Sequence, residues 1–320
     1  MKIPIYTEEQ VEAVFDVNAA LKLAEETFGL MASGQAKMPS KIYLDLPGGA
    51  DFRAMPAWVG GSTDQAGACG IKWVSVFPDN RALGKPTVTA TILLNSTRTG
   101  ELLAVLGGTA ITAIRTAATA ALAARHLARR DSAVIALVGA GLQARYQLRA
   151  LLPIFGVKEV RVWGALGGEA AAFCRRERKT FDRLVTARDI ESCVRGADIV
   201  VTCTPSRKPL VRARWIEPGT HINAIGADAP GKQELDPHIL GNAKVVVDEE
   251  HQAVHSGEIN VPISRGAYDP RDLHASLADI VSGRRVGRSG PREVTVFDST
   301  GLAVLDIHFA RYAYERLSRR

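Results

Sequence analysis

Residues 133–144 read Ala133-Val134-Ile135-Ala136-Leu137-Val138-Gly139-Ala140-Gly141-Leu142-Gln143-Ala144, and this stretch decides the fold. Six apolar residues in a row suit a short strand buried on both faces, the habit of parallel sheets. The glycines follow at once, and a helical pattern opens at Leu142 and Gln143. A strand, a glycine turn and a helix in that order form a pyrophosphate cradle. Gly139 permits the tight turn and Gly141 lets the backbone approach phosphate. Ala144 allows close helix packing, and the helix N-terminus offers unpaired N–H groups. A bare Gly-x-Gly can also be a plain turn, but the flanking strand and helix favour dinucleotide binding, with NAD(H) or NADP(H) as cofactor.

Downstream the alternation continues. EVRVW (159–163), a helical stretch near 168–180, ADIVVTC, THINAIG, a short helix at 234–240, AKVVVD and EVTVFD succeed one another. Strands separated by helices predict an α/β fold with a doubly wound parallel sheet. Upstream the pattern differs. Residues 8–33 carry apolar positions at helical spacing, with a break expected near Asn18. From 41 to about 106, short runs separated by Pro-Gly-Gly, Pro-Asp-Asn and Thr-Gly predict a mostly antiparallel sheet, including a hairpin that turns at Gly100. A helix is expected from Thr112 to about Arg130, capped by Thr109 or Thr112, and residues 301–320 read as a terminal amphipathic helix.

Of 320 residues, 46% are hydrophobic and 23% charged, and 40 Lys and Arg face 34 Asp and Glu, a formal charge of +6. This excludes a disordered, collagen-like or multi-span membrane protein. Cys69, Cys174, Cys193 and Cys203 form no CxxC pair, and the N-terminal stretch has no signal-peptide apolar core, so a cytoplasmic location is expected. Arg284, Arg285, Arg288 and Arg292 lie in a Gly/Ser-rich stretch without aromatic neighbours. That pattern reads as a solvated loop rather than a nucleic-acid surface. No membrane partner is expected.

Several polar residues stand where chemistry is done. Lys72 shares one strand face with Val74 and Val76, so it either snorkels to water or is held to meet an anion. Arg53 sits similarly within DFRAMPAWV. Arg115 falls in the expected first turn of an apolar helix, where a cation opposes the dipole and calls for an anion. Asp228 follows THINAIG at the C-terminal end of a strand, the ligand-binding edge of open α/β sheets, although turn aspartates before proline are common. His251 and His255 have helical metal spacing without a third ligand, so no metal is expected. After EVRVW come Gly164, Ala165 and Leu166. They supply neither the acid that holds an NAD ribose nor the Arg that meets a 2′-phosphate, and the missing acid leans towards accepting the phosphate.

Seven segments, IKWVSVFPDN, KPTVTATILLNSTRTGELLAVL, ITAIRTAATAALAARHLAR, GAGLQA, VTCTPSRKPLV, PGTHINAIGADAPGKQELD and FDSTGLAVLD, together resemble the ornithine cyclodeaminase and mu-crystallin family in order and spacing, over nearly the whole chain. That family includes ornithine cyclodeaminases, archaeal-type alanine dehydrogenases, ketimine or Δ1-pyrroline-2-carboxylate reductases, and a mu-crystallin branch that binds thyroid hormone. IKWVSVFPDN looks closer to the dehydrogenase and reductase side. The resemblance implies a Rossmann-type domain over 117–302 and an α+β substrate-binding and dimerisation domain over 1–116 and 303–320.

It further implies that Arg53, Lys72 and Arg115 gather a substrate carboxylate, with Lys72 also able to exchange a proton, and that Asp228 is the acid/base. Cofactor contacts would come from Thr87, Arg115, Gly139, Gly141, Leu142, Gln143, Ala144, Gly164, Ala165, Leu166, Thr204, Gly226, Ala227, Lys232 and Ser299. The implied partners are a small amino or imino acid and a second copy of the chain. Three activities follow: net oxidation or reduction at Cα, cyclodeamination of ornithine with recycled NAD, or ligand binding without turnover. The loop after EVRVW departs from the family, lacking both its acidic residue and its Asn-Arg-Thr-like triplet.

Overall fold

Period-two burial organises the chain before residue 107. In the computed structural model, which describes residues 2–61 and 67–319, this part contains β1 (Ile5–Tyr6), α1 (Glu8–Glu12), α2 (Val17–Ala32), β2 (Ala36–Lys37), β3 (Ile42–Asp45), β4 (Asp51–Val59), β5 (Ala68–Val76), β6 (Val88–Asn95) and β7 (Leu102–Gly107). The sheet order is β1-β7-β6-β5-β4-β2, with β3 also pairing with β4. All pairs are antiparallel except β1 with β7. Arg53, Met55, Lys72, Val74, Ile92 and Leu94 are buried, so the inner face carries two cations among aliphatic side chains.

α3 (Gly108–Leu127) follows β7 directly. After it come β8 (Val134–Val138), α4 (Leu142–Leu151), β9 (Glu159–Trp163), α5 (Glu169–Glu177), β10 (Leu184–Thr186), α6 (Ile190–Val194), β11 (Ile199–Thr202), β12 (His221–Ala224), α7 (Pro237–Leu240), β13 (Lys244–Val247), α8 (Glu250–Ser256), α9 (Asn260–Ser264), β14 (Ala275–Ser276), α10 (Leu277–Val281), β15 (Thr295–Asp298) and α11 (Ala303–Leu317). The second sheet runs β10-β9-β8-β11-β12-β15-β13-β14, with every pair parallel. This is the expected doubly wound parallel sheet. Strand order reverses between β8 and β11, and such a switch point is where open α/β sheets bind ligands.

Two compact units result: Met1–Arg115 with Leu302–Arg320, and Thr116–Gly301. In the first, α11 packs on β4, β5 and β6 and beside α2. Phe15 of this unit stacks on Phe309 at 5.5 Å and on Tyr312 at 5.1 Å. In the second, Val138, Val200, Ile222, Val245 and Val296 join the helices in one apolar core.

Some local expectations are corrected. The break in the first helical stretch lies before Val17 rather than near Asn18, because Asp16 caps α2 through the N–H of Ala19. α3 begins at Gly108, and neither Thr109 nor Thr112 caps it. The carboxylate of Glu8 accepts from Thr109 N at 3.0 Å and Ala110 N at 2.7 Å. Thr109 Oγ1 instead accepts from Ala90 N, and Thr112 Oγ1 donates to Gly108 O. Arg115 therefore lies about two turns into the helix. Arg288 is no solvated loop residue: its guanidinium donates to the carbonyls of Leu127, Gly219 and Glu293. The short strands β1, β2, β10 and β14 were not anticipated. No described helix is long and apolar enough to cross a membrane.

Candidate active site

The first unit collects cations on the inner face of its sheet. Register pairs Arg53 with Val74 and Met55 with Lys72, so Arg53 and Lys72 are diagonal neighbours on that face. Arg53 is 4% exposed, and the Asp51 carboxylate grips it, accepting from Nε at 2.7 Å and Nη2 at 3.2 Å. Lys72 is 2% exposed and Arg115 4%. Both meet Asp306 of α11: Lys72 Nζ lies 2.7 Å from Oδ2, and Arg115 Nε donates to Oδ1 at 2.8 Å. Lys72 also donates to Thr112 Oγ1 at 3.3 Å.

Lys72 is thus a buried side chain, not a snorkelling one. Burial pushes its ammonium down to about 7; Asp306 opposes the shift, and Arg115 and Lys41 add to it. Two cations share one carboxylate out of water, an arrangement that a further anion would relieve. Asp306 was not identified from the sequence. Its signal was a single acid within the apolar run GLAVLDIHFA.

In the second unit the glycine turn closes β8. Gly139 has φ +122, and a Cβ there would stand 2.9 Å from Cys203 Sγ and 3.0 Å from Cys203 O, so only glycine fits. Gly141 has φ −87 and serves as N-cap of α4 without any side-chain cap. A Cβ on Gly141 would meet nothing within 4 Å. Ala144 is fully buried against the sheet, Leu142 is exposed, and Gln143 Oε1 is buried with no hydrogen-bond partner. An uncapped helix N-terminus and open space over a glycine fit a dinucleotide pyrophosphate.

Gly164, Ala165 and Leu166 follow β9, beside the turn, and Gly139 N donates to Trp163 O at 2.9 Å. Thr204 and Gly226 follow β11 and β12. One buried carboxylate, Glu234, ties them together, accepting from Thr204 N and Oγ1 at 2.7 Å and from Gly226 N at 2.8 Å. Burial pushes the Glu234 carboxyl up, against those hydrogen bonds. Glu258 in turn accepts from the N–H groups of Glu234 and Leu235. Glu234 was also missed by sequence reading.

Beyond β12, Ala227 is buried and Asp228 Oδ1 lies 2.5 Å from Lys232 Nζ, so two residues assigned different duties form one ion pair. Ser299 is buried after β15, its N–H on Ala224 O. Thr87 and Arg115 belong to the first unit rather than to the glycine turn's. Thr87 directly precedes β6, and its backbone carbonyl accepts from Phe77 N. His251 and His255 lie on α8, and no group of metal-ligating side chains occurs among the described residues.

A family model described as the ornithine cyclodeaminase/mu-crystallin family matches residues 2–320. Alanine dehydrogenase of Archaeoglobus fulgidus is 44% identical over 317 residues, 98% of this chain and 95% of that one. Among solved structures, an archaeal alanine dehydrogenase dimer with bound NAD is 44% identical, with a TM-score of 0.93 over 100% of this chain and 97% of the other. Thermococcus litoralis Δ1-pyrroline-2-carboxylate reductase, in complex with NADH and L-proline, is 32% identical, with a TM-score of 0.95 over 99% and 98%.

Proposed function

The chain belongs to the ornithine cyclodeaminase/mu-crystallin family, and on that premise we propose that it is a nicotinamide-dependent oxidoreductase acting at the Cα of a small amino or imino acid. The observation that carries this reading is the burial of Lys72 and Arg115 on the single carboxylate of Asp306. A substrate carboxylate offsets the excess positive charge there, and charge-assisted contacts to it are about twice as strong as neutral ones. The named relatives, an alanine dehydrogenase and a pyrroline-2-carboxylate reductase, both act on substrates of this class.

The dinucleotide would be held in the second unit by Gly139, Gly141, Leu142, Gln143 and Ala144, with Gly164, Ala165, Leu166, Thr204, Gly226, Ala227, Lys232 and Ser299 completing its contacts there. Bound there, the dinucleotide would supply hydride chemistry at the substrate Cα. Arg53, Lys72 and Arg115 fix the carboxylate so that Cα has one orientation, and positioning alone supplies several kcal/mol, of order 7 or more in favourable cases. Asp228, oriented by Lys232, exchanges the accompanying proton with the substrate nitrogen. Lys72, poised near neutrality, is a second proton-exchanging group.

The working form is a homodimer joined through the first unit's sheet. Ile42, Leu44, Phe52, Ile71, Trp73 and Leu93 share its outer face, and Ile42, Leu44, Trp73 and Leu93 are exposed. The archaeal alanine dehydrogenase neighbour is itself a dimer. The four cysteines are free thiols, which suits the cytoplasm.

The test supplies Δ1-pyrroline-2-carboxylate, or pyruvate with ammonia, and follows absorbance at 340 nm. Oxidation of reduced cofactor in step with product is expected, and Asp228→Asn should abolish most of it. Stoichiometric proline and ammonia from ornithine with no net absorbance change, together with inactivity on imines, would replace this reading with cyclodeamination. Tight cofactor binding without turnover in either assay would replace it with ligand binding.

A further inference from the structure

We infer that Glu169 selects the adenosine ribose of the cofactor, so that the second unit takes NAD(H) and rejects the 2′-phosphorylated form. The inference rests on the reading of the Gly139 turn as a dinucleotide cradle. β9 pairs with β8 up to Val138 and Trp163, which places Gly164 one residue past the strand end beside the glycine turn. There a Rossmann-type site holds its ribose with an acid. Gly164 has no side chain, but a Cβ built on it would stand 2.9 Å from Glu169 Oε2 and 3.0 Å from Glu169 Cβ. The space next to the strand end is already filled by a carboxylate delivered from five residues further on.

The carboxylate is held in that place. Gly168, at φ +78, turns the chain so that Glu169 opens α5. Glu169 Oε2 accepts from Leu166 N at 3.3 Å, and Glu169 N donates to Leu166 O at 3.1 Å. Its charge is felt at the glycine turn: after burial and Glu234, Glu169 helps to hold the Cys203 thiol up, and that sulfur would lie 2.9 Å from a Cβ on Gly139. An ionised carboxylate only accepts hydrogen bonds, which matches ribose hydroxyls and repels a phosphate dianion. The absence of an acid at 164–166 had left the 2′-phosphate admissible; the fold restores the acid from outside that loop.

Titration of the full-length protein with NADH and NADPH, followed by nicotinamide fluorescence, tests this, with ADP-ribose and its 2′-phosphate as fragment probes. The wild type should bind NADH at least about tenfold more tightly than NADPH, and Glu169→Gln should move the ratio towards one. Equal affinities in the wild type, or an unchanged ratio in Glu169→Gln, would overturn the inference. A bracing role alone would lower the thermal midpoint and weaken both dinucleotides equally, which also overturns it. If the wild type binds neither dinucleotide, the cradle reading itself fails, and the inference falls with it.

Discussion

The Lys72 ammonium lies 2.7 Å from the Asp306 carboxylate, with both side chains withdrawn from water. Asp306 also meets Arg115, so one acid holds two buried cations. Asp306→Asn keeps the shape and removes the countercharge. It should destabilise the protein by about 3 kcal/mol, read as a lower urea midpoint, because breaking a buried pair leaves uncompensated charge. Asp306 opposes the downward shift of Lys72, so its loss should move the ionisation near 7 in the pH–rate profile to lower pH. An unchanged stability and profile would mean that Asp306 does not set the state of Lys72.

Lys72→Met should remain folded and lose at least about thirtyfold in kcat/KM, equivalent to ~2 kcal/mol, as expected when one partner of a buried charge contact is truncated. Wild-type stability should carry a pH trend through Lys72 that a lysine with an unshifted pKa would not give. The unfolded chain keeps the Lys72 proton up to 10.5 while the folded chain releases it at about 7, so between those values wild-type stability rises with pH through this group. Denaturant unfolding at pH 6.5 and pH 9 should therefore show the wild type gaining on Lys72→Met at the higher pH. A constant difference would count against the buried ammonium.

The two glycines of the turn should separate stability from binding. Gly139→Ala forces a Cβ against Cys203 at φ +122 and should cost about 2 kcal/mol of stability. Gly141→Val has an ordinary φ and open space, so its thermal midpoint should barely move while NADH affinity falls. Undiminished NADH binding by Gly141→Val would remove the pyrophosphate from this turn.

Glu8→Ala should lower stability by about 1 kcal/mol, since it leaves the first N–H groups of α3 without their cap. Glu8→Gln, which still presents an acceptor oxygen, should recover part of that. Equal unfolding midpoints for wild type and Glu8→Ala would show that water caps the helix equally well.

What was legible in the sequence was local. The turn at 139–144 is encoded within a dozen residues, and β4 and β6 announce themselves by short apolar runs between breakers. What was missed depends on distant partners. Asp306 stands 191 positions from Arg115, and Glu8 stands 101 from Thr109, so neither the countercharge nor the helix start follows from neighbouring residues. Lys72 could be read two ways because pleat periodicity gives a face but not what covers it. Glu169 is hidden for a related reason: residues 164–166 carry no acid, while the turn through Gly168 brings a carboxylate beside Gly164 from the helix that follows.

The order in which a ribosome releases the chain sets a constraint on how this molecule matures. Residues 116–301 form one uninterrupted unit, able to condense as they emerge. The other unit cannot finish until α11 arrives, because that helix covers β4, β5 and β6 and carries Asp306. Throughout elongation, Lys72 and Arg115 wait beside an apolar sheet face that has no lid. A nascent chain stalled before residue 303 would hold a second unit with all its elements and a first unit whose inner sheet face lacks the helix that covers it.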